Sequence, residues 1–371
     1  MKTGRKVVGL LLCAALAVGV AGCSNGGGKP AAGSAPAADS TGSTAQENSA
    51  EKKSGGPITV GFSQVGAESD WRTANSESMK NTFTEANGYK LIFDDAQQKQ
   101  ENQITAIRNF IQQEVDYIVL APVTETGWDT VLQEAKDADI PVIIVDRMVN
   151  VKDDSLYTAW VGSNFRNEGD KAVAWMEDFF KSKGRDKDPL NIVDIQGTIG
   201  ASAQIGRTDA LEAGVKKHSN WKLVAQQTGE FTQAKGQEVM ESVLKQHSDI
   251  DVVYCENDNE AFGAIDAIKA AGKKVGTDKG EIMVFSFDST KAGLNKVLSG
   301  EIALDTECNP LHGPRVQNII EKLEKGEKVD KKAYVDEKMF AADDTVKSVT
   351  TGAGNFDVTV VTQDVIKGRA Y

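Results

Sequence analysis

Glu68, Trp71 and Arg72 fall within five positions of one another, in a stretch GFSQVGAESDWR that leaves the β-branched run PITV and enters a helical pattern. Similar groups close other apolar runs. PVIIVDR ends in Asp146-Arg147, NIVDIQG leads into GASAQIGR with Arg207, VVYCEND ends in Asn257-Asp258, and IMVFSFD ends in Asp288. Together these residues suit a small ring carrying several hydroxyls. Each hydroxyl both donates and accepts, so it needs fixed acceptors (Glu68, Asp146, Asp288) and fixed donors (Arg72, Arg147, Arg207); Asn257 does both. Charged planar groups hold two adjacent hydroxyls at once and bond more strongly than neutral ones. The apolar C–H face of such a ring packs on an indole, the role assigned to Trp71.

Each residue has a plainer reading. Trp71 could open a helix as a core residue, and Glu68 and Asp70 could complement a helix dipole. Asp146-Arg147 could be an exposed pair worth little, and Asn257 and Asp288 could be caps or turn residues. Caps alone do not explain three arginines and an aromatic at the same set of strand ends, so the constellation outweighs the single readings.

The elements that must carry these groups alternate. ITVGFSQ, KLIFDDA, VDYIVLAP, PVIIVDR, TAWVGSN, NIVDIQG, KLVAQQTG, VVYCEND and IMVFSFD are strand candidates. They are continuous apolar runs, as in parallel strands covered on both faces. Between them lie amphipathic stretches: Ile104, Ile107, Ile111 and Val115 share one helical stripe, as do Phe262, Ile265 and Ile268 ahead of a capping Gly272. The alternation predicts an α/β fold of two doubly wound parallel-sheet lobes joined by a multi-segment hinge. Residues 57–162 and 307–330 form the first lobe in this reading, and 163–306 and 331–371 the second. Ligands of such folds bind beyond the carboxyl ends of the strands, here in the cleft between lobes.

The N-terminus opens with Lys2, Arg5 and Lys6, an apolar run from Val7 to Val20, then Ala21-Gly22-Cys23. This is a secretory leader (1–22), and Val-Ala-Gly-Cys resembles the lipobox in which the cysteine is acylated, so Cys23 is the expected lipid site. Residues 23–56 hold no aliphatic residue larger than Ala and no aromatic, which predicts a disordered tether reaching on the order of 30 Å. The full chain carries a formal charge of −12, and removing the three basic residues of an acid-free leader leaves −15. That excess of acid excludes a nucleic-acid partner, which needs a basic surface. Of four cysteines, Cys13 leaves with the leader, and Cys255 and Cys308 remain either as a disulfide or as two buried thiols. No CxxC or His-x-x-x-His occurs, so neither a metal nor a cofactor is expected.

In this order, VGFSQVGAESDWR, QQKQENQITAIR, APV with TGW, VLQEAKDADIPV, VDR, QGTIGAS, TKAGLNKVLSGE and ECNP resemble the type I periplasmic binding proteins of bacterial sugar ABC transporters, the galactofuranose-binding members more than the ribose-binding ones. The resemblance covers nearly all of residues 57–340. It implies that Glu68, Trp71, Arg72, Asp146, Arg147, Arg207, Asn257 and Asp288 contact a monosaccharide, that Ser69 and Asp70 add bonds, and that Glu307 and Asn309 contribute from ECNP. It further implies a monomer that closes on its ligand and delivers it to membrane permease subunits. A receptor docking on a membrane sensor would use the same pocket with another partner. An enzyme is disfavoured, because arginines among the acids should hold carboxyl pKa values down and leave no general acid. A DNA-binding repressor is excluded, since a leader and tether stand where a helix-turn-helix would.

Overall fold

The computed structural model describes residues 55–371, so the leader, Cys23 and nearly all of the tether lie outside the described residues. The first lobe runs β1 (Ile58–Gln64), α1 (Asp70–Thr82), β2 (Tyr89–Asp95), α2 (Gln100–Gln112), β3 (Tyr117–Leu120), α3 (Asp129–Asp137), β4 (Val142–Val145) and β5 (Ala159–Gly162). The second runs α4 (Phe165–Ser182), β6 (Leu190–Gln196), α5 (Ser202–Lys217), β7 (Trp221–Thr228), α6 (Gln233–Gln246), β8 (Val252–Cys255), α7 (Asp258–Ala270), β9 (Met283–Asp288), α8 (Lys291–Leu298) and β10 (Leu304–Glu307). The chain then returns to the first lobe as α9 (Gly313–Glu324) and β11 (Lys332–Tyr334), and ends in the second as β12 (Met339–Ala341), β13 (Ser348–Thr351), β14 (Gly354–Val360) and α10 (Gln363–Lys367). All nine strands read from apolar runs are present.

Among the described residues the sheets are ordered β11-β5-β4-β3-β1-β2 and β13-β14-β12-β10-β9-β8-β6-β7. Each therefore contains the same doubly wound unit, with its first strand between its second and third, and the order reverses beside β1 in one lobe and β6 in the other. Crevices open at such reversals, beyond the carboxyl ends of the strands.

Alternate side chains of each buried strand feed opposite faces. Ile118 and Leu120 of β3 pack with Ile107, Phe110 and Leu132 of α2 and α3. Tyr117 and Val119 face Met79 of α1 and Val316 and Ile320 of α9. In the second lobe, α6 and α7 cover one face through Val239, Met240, Ile265 and Ile268. On the other face Trp175 of α4 stacks on Phe179 of the same helix at 4.9 Å and meets Phe285 of β9 edge-on at 5.6 Å.

Two expectations change. The sequence reading places residues 331–334 in the second lobe, yet Lys332, Ala333 and Tyr334 pair in parallel with Trp160, Val161 and Gly162. Edge strand β5 has an open hydrogen-bonding side, and β11 fills it before the chain crosses over. The second sheet is also not wholly parallel, because β12 runs antiparallel to β10 and β13 antiparallel to β14. The chain thus passes between lobes three times: after Gly162, between Glu307 and Gly313, and between Tyr334 and Met339.

Candidate functional site

The first-lobe half of the site is built at the end of β1. Ser69 has extended backbone (φ −147°), and its Oγ accepts the Arg72 N–H at 3.1 Å, a helix N-cap that starts α1 at once. The first turn of α1 then carries Trp71 and Arg72 beside the strand ends. Arg72 Nε meets Glu68 Oε1 at 2.9 Å and Nη2 meets Asp146 Oδ2 at 2.8 Å, while Nη1 donates to Gln64 Oε1 at 3.3 Å. Arg147 lies 3.7 Å from Glu68 Oε1 and donates from Nη1 to the Val123 carbonyl at 3.0 Å. Its guanidinium sits 4.9 Å over the ring of Phe231, which belongs to the second lobe.

The second-lobe half repeats the scheme. Arg207 on α5 is held by Glu168 Oε2 at 2.8 Å from Nη2 and by the Glu256 carbonyl, and lies 3.8 Å from Asp288 Oδ1. Phe287 supports its plane at 4.7 Å. Asn257 caps α7 by accepting the Glu260 N–H at 2.8 Å, and its Nδ2 donates to the Phe231 carbonyl at 3.1 Å.

Burial decides the electrostatics. It opposes the charge of Arg72, but Glu68 and Asp146 outweigh it and hold the pKa above the ordinary value. Burial and then the neighbouring Arg72 push Arg147 down to about 10, leaving it charged at neutral pH. For Asp288 the expectation from sequence fails. Burial pushes its carboxyl well up, although Arg207 opposes the change. Desolvation in a closed site exceeds one ion pair at 3.8 Å.

The two halves meet around one small cavity lined by Glu68, Ser69, Trp71, Arg72, Asp146 and Arg147 from one lobe. Phe165, Ala203, Arg207, Phe231, Asn257 and Asp288 line it from the other, with Cys308 on a crossing segment. Direct bonds join the lobes at its rim: Asp70 N–H to Asn259 Oδ1 at 3.0 Å, Met148 N–H to Ser202 Oγ at 2.8 Å, and Glu125 N–H to the Gly200 carbonyl at 2.9 Å. The lobes are closed.

Nine of the twelve residues singled out from sequence thus line one cavity, and three do not. Asp70 is exposed and serves the rim through its backbone. Glu307 points to Arg369 (2.9 Å), and its Oε2 accepts the Lys338 N–H at 2.9 Å; burial would raise its pKa, but Arg369 holds it below the usual range. Asn309 turns to Glu307 Oε1 and to the Leu311 N–H, which caps the local turn. The proline-containing segment places both in the crossing between lobes rather than at the cavity wall. Trp71 differs in a subtler way, because it lines the cavity and is also fixed, 3% exposed, by a 2.7 Å bond from Nε1 to the Cys308 carbonyl.

Phe165, Ala203, Phe231 and Cys308 escaped the sequence reading. Phe231 carried a usable signal, an aromatic in TGEF just after a strand end; in the structure Glu230 and Phe231 both take positive φ (56° and 61°). Cys255 and Cys308 are free and buried. Glu168, Cys308 and Glu337 offer ligand atoms within 4.8 Å of one another. Glu168 Oε2 already serves Arg207, and Glu337 Oε1 accepts Ser163 Oγ–H and the Asn309 N–H, an arrangement that serves the crossings better than a cation.

The periplasmic binding protein domain family matches residues 60–306. The chain is 40% identical over 294 residues to the galactofuranose-binding protein YtfQ of Escherichia coli K12, covering 78% of this chain and 90% of that one. A solved Mycobacterium smegmatis protein in complex with β-D-fucofuranose is similar with a TM-score of 0.73 and 45% identity, over 78% of this chain and 92% of that one. The binding protein of the Shewanella sp. ANA-3 arabinose ABC transporter, bound to α- and β-L-arabinofuranose, gives 0.71 and 43%, over 76% and 91%. Two lobes of the same doubly wound order, a cavity between them and a family match across both lobes lead to one conclusion: the chain belongs to the periplasmic binding protein family.

Proposed function

We propose that this protein is the solute-binding component of a sugar ABC importer, which captures one furanose-type monosaccharide by closure of its lobes and presents the closed form to a membrane permease. One observation carries the reading: acids, arginines and an indole from both lobes converge on one cavity between them. Relatives whose bound ligands are furanoses support the ring form. Relatives that are binding proteins support capture without turnover. The lipobox-like sequence ending at Cys23 supports export and acylation, with the folded body held outside the membrane by a tether; among the described residues no helix is long and apolar enough to cross one.

Calorimetric titration of purified protein with L-arabinose, D-galactose, D-fucose, D-ribose and D-fructose tests this reading. Saturable binding of at least one sugar with a furanose form, at one site per chain, is expected. Absence of heat with the whole panel would contradict it.

A further inference from the structure

Asp288 and Ser289 both hold positive φ (109° and 54°), a conformation that side chains with a Cβ resist. Strained turns of this kind persist only where the surroundings over-determine them. Buried acids supply part of the restraint. Ser289 N–H and Oγ–H both donate to Asp305 Oδ1, at 2.9 and 3.0 Å, and Thr290 N–H and Oγ1–H donate to Asp258 Oδ2, at 2.9 and 2.7 Å.

The remaining restraint comes from beyond α10. Arg369 Nε donates to the Ser289 carbonyl at 2.7 Å, and Nη1 meets Glu307 Oε1 at 2.9 Å. Tyr371 closes the same knot: its hydroxyl donates to Glu307 Oε1 at 2.8 Å, and its carbonyl accepts the Lys291 N–H at 2.8 Å. The guanidinium carbon sits over the rings of Tyr371 and Phe340, 4.2 and 5.1 Å from their centroids, and the side chain is 11% exposed. Glu307 in turn holds Lys338 across two of the three crossing segments. One planar side chain therefore ties the turn that presents Asp288 to the segments on which the lobes rotate.

We propose that Arg369 is a positioning residue for the cavity, locking the Asp288–Ser289 turn to Glu307 so that the second-lobe carboxyl is presented in a fixed orientation. The inference rests on the binding role given above for its consequence, though not for its geometry. A guanidinium is needed because its two bonds diverge from one plane, and an ammonium can satisfy only one partner well.

The test uses the full folded chain with Arg369→Gln and Arg369→Lys, read in two ways. Hydrogen–deuterium exchange without sugar follows residues 285–292 against residues 104–120 of the first lobe. Titration then uses whichever panel sugar binds the parent protein. Arg369→Gln should speed exchange at Ser289 and Thr290, leave the first-lobe segment unchanged and weaken the sugar about tenfold, as expected when charge-assisted bonds are lost. Arg369→Lys should fall between the two. Parent-like exchange at the turn, parent-like affinity, or faster exchange throughout the chain would each overturn the proposal. If the parent protein binds no sugar, the functional reading fails separately, and the exchange measurement alone decides whether Arg369 holds the turn.

Discussion

Asp146 and Asp288 hold equivalent posts in the two lobes. Each stands at the end of the fourth strand of its doubly wound unit, each has positive φ (61° and 109°), and each faces an arginine from the first helix after its lobe's opening strand, Arg72 and Arg207 respectively. Neither lobe alone completes the set. A ligand that touches both acids favours the closed arrangement, since it shifts the equilibrium only by contacts present in one state.

Arg147→Lys should weaken sugar binding by about 2 kcal/mol, because lysine cannot keep the bond to the Val123 carbonyl while placing its charge over Phe231. Calorimetry checks this, and unchanged affinity would remove Arg147 from the ligand's reach.

Trp71→Ala should lower stability as well as affinity, in contrast to what a purely cleft-facing ring would do. Its indole is buried, packed 6.0 Å from His312 and bonded to the Cys308 carbonyl. A loss of about 3 kcal/mol by denaturant melts is in the range for deleting a buried indole. Trp71→Phe keeps a ring against the ligand but loses the N–H, so it should retain most affinity and recover only part of the stability.

His312 gives a pH dependence with a defined sign. Asn75 Nδ2 approaches its Nδ1 at 2.9 Å, and burial pushes its pKa down from 6.5 to about 4. Above pH 6.5 the imidazole is neutral in the folded and unfolded chain alike. Between 6.5 and about 4 only the unfolded chain takes up the proton, so stability falls as pH drops through that window, by up to about 3 kcal/mol from this group. Melting temperatures measured from pH 8 to pH 4 should decline less steeply in His312→Gln. An equal slope in both proteins would assign the loss to other groups.

How far the sequence could be read depended on the kind of signal. Continuous apolar runs such as VIIV and VVYC announce buried parallel strands, whereas KAY is a short polar edge strand whose partner β5 lies far back along the chain, and SVTT and GNFDVTV form a half-exposed hairpin without a continuous apolar run. Polar groups at strand ends pointed to the cavity because a doubly wound sheet gathers those ends. Phe165 and Ala203 look like core residues in any window, and only the meeting of lobes puts them at a ligand wall. Glu307 and Asn309 show the reverse problem, since a polar network at a crossing uses the same residue types as a sugar site.

Cys23→Ser should move the protein from the membrane to the soluble fraction of expressing cells while leaving the calorimetric sugar affinity unchanged. Continued membrane association of that variant would refute acylation as the anchor.

The central claim is that sugar closes the two lobes on a shared cavity, and small-angle scattering across a sugar titration tests it most directly. The account predicts that the radius of gyration falls on saturation to the value of the closed structure, with the same midpoint as the calorimetric curve. Saturable sugar binding with an unchanged radius of gyration, from a form already open or already closed, would contradict it.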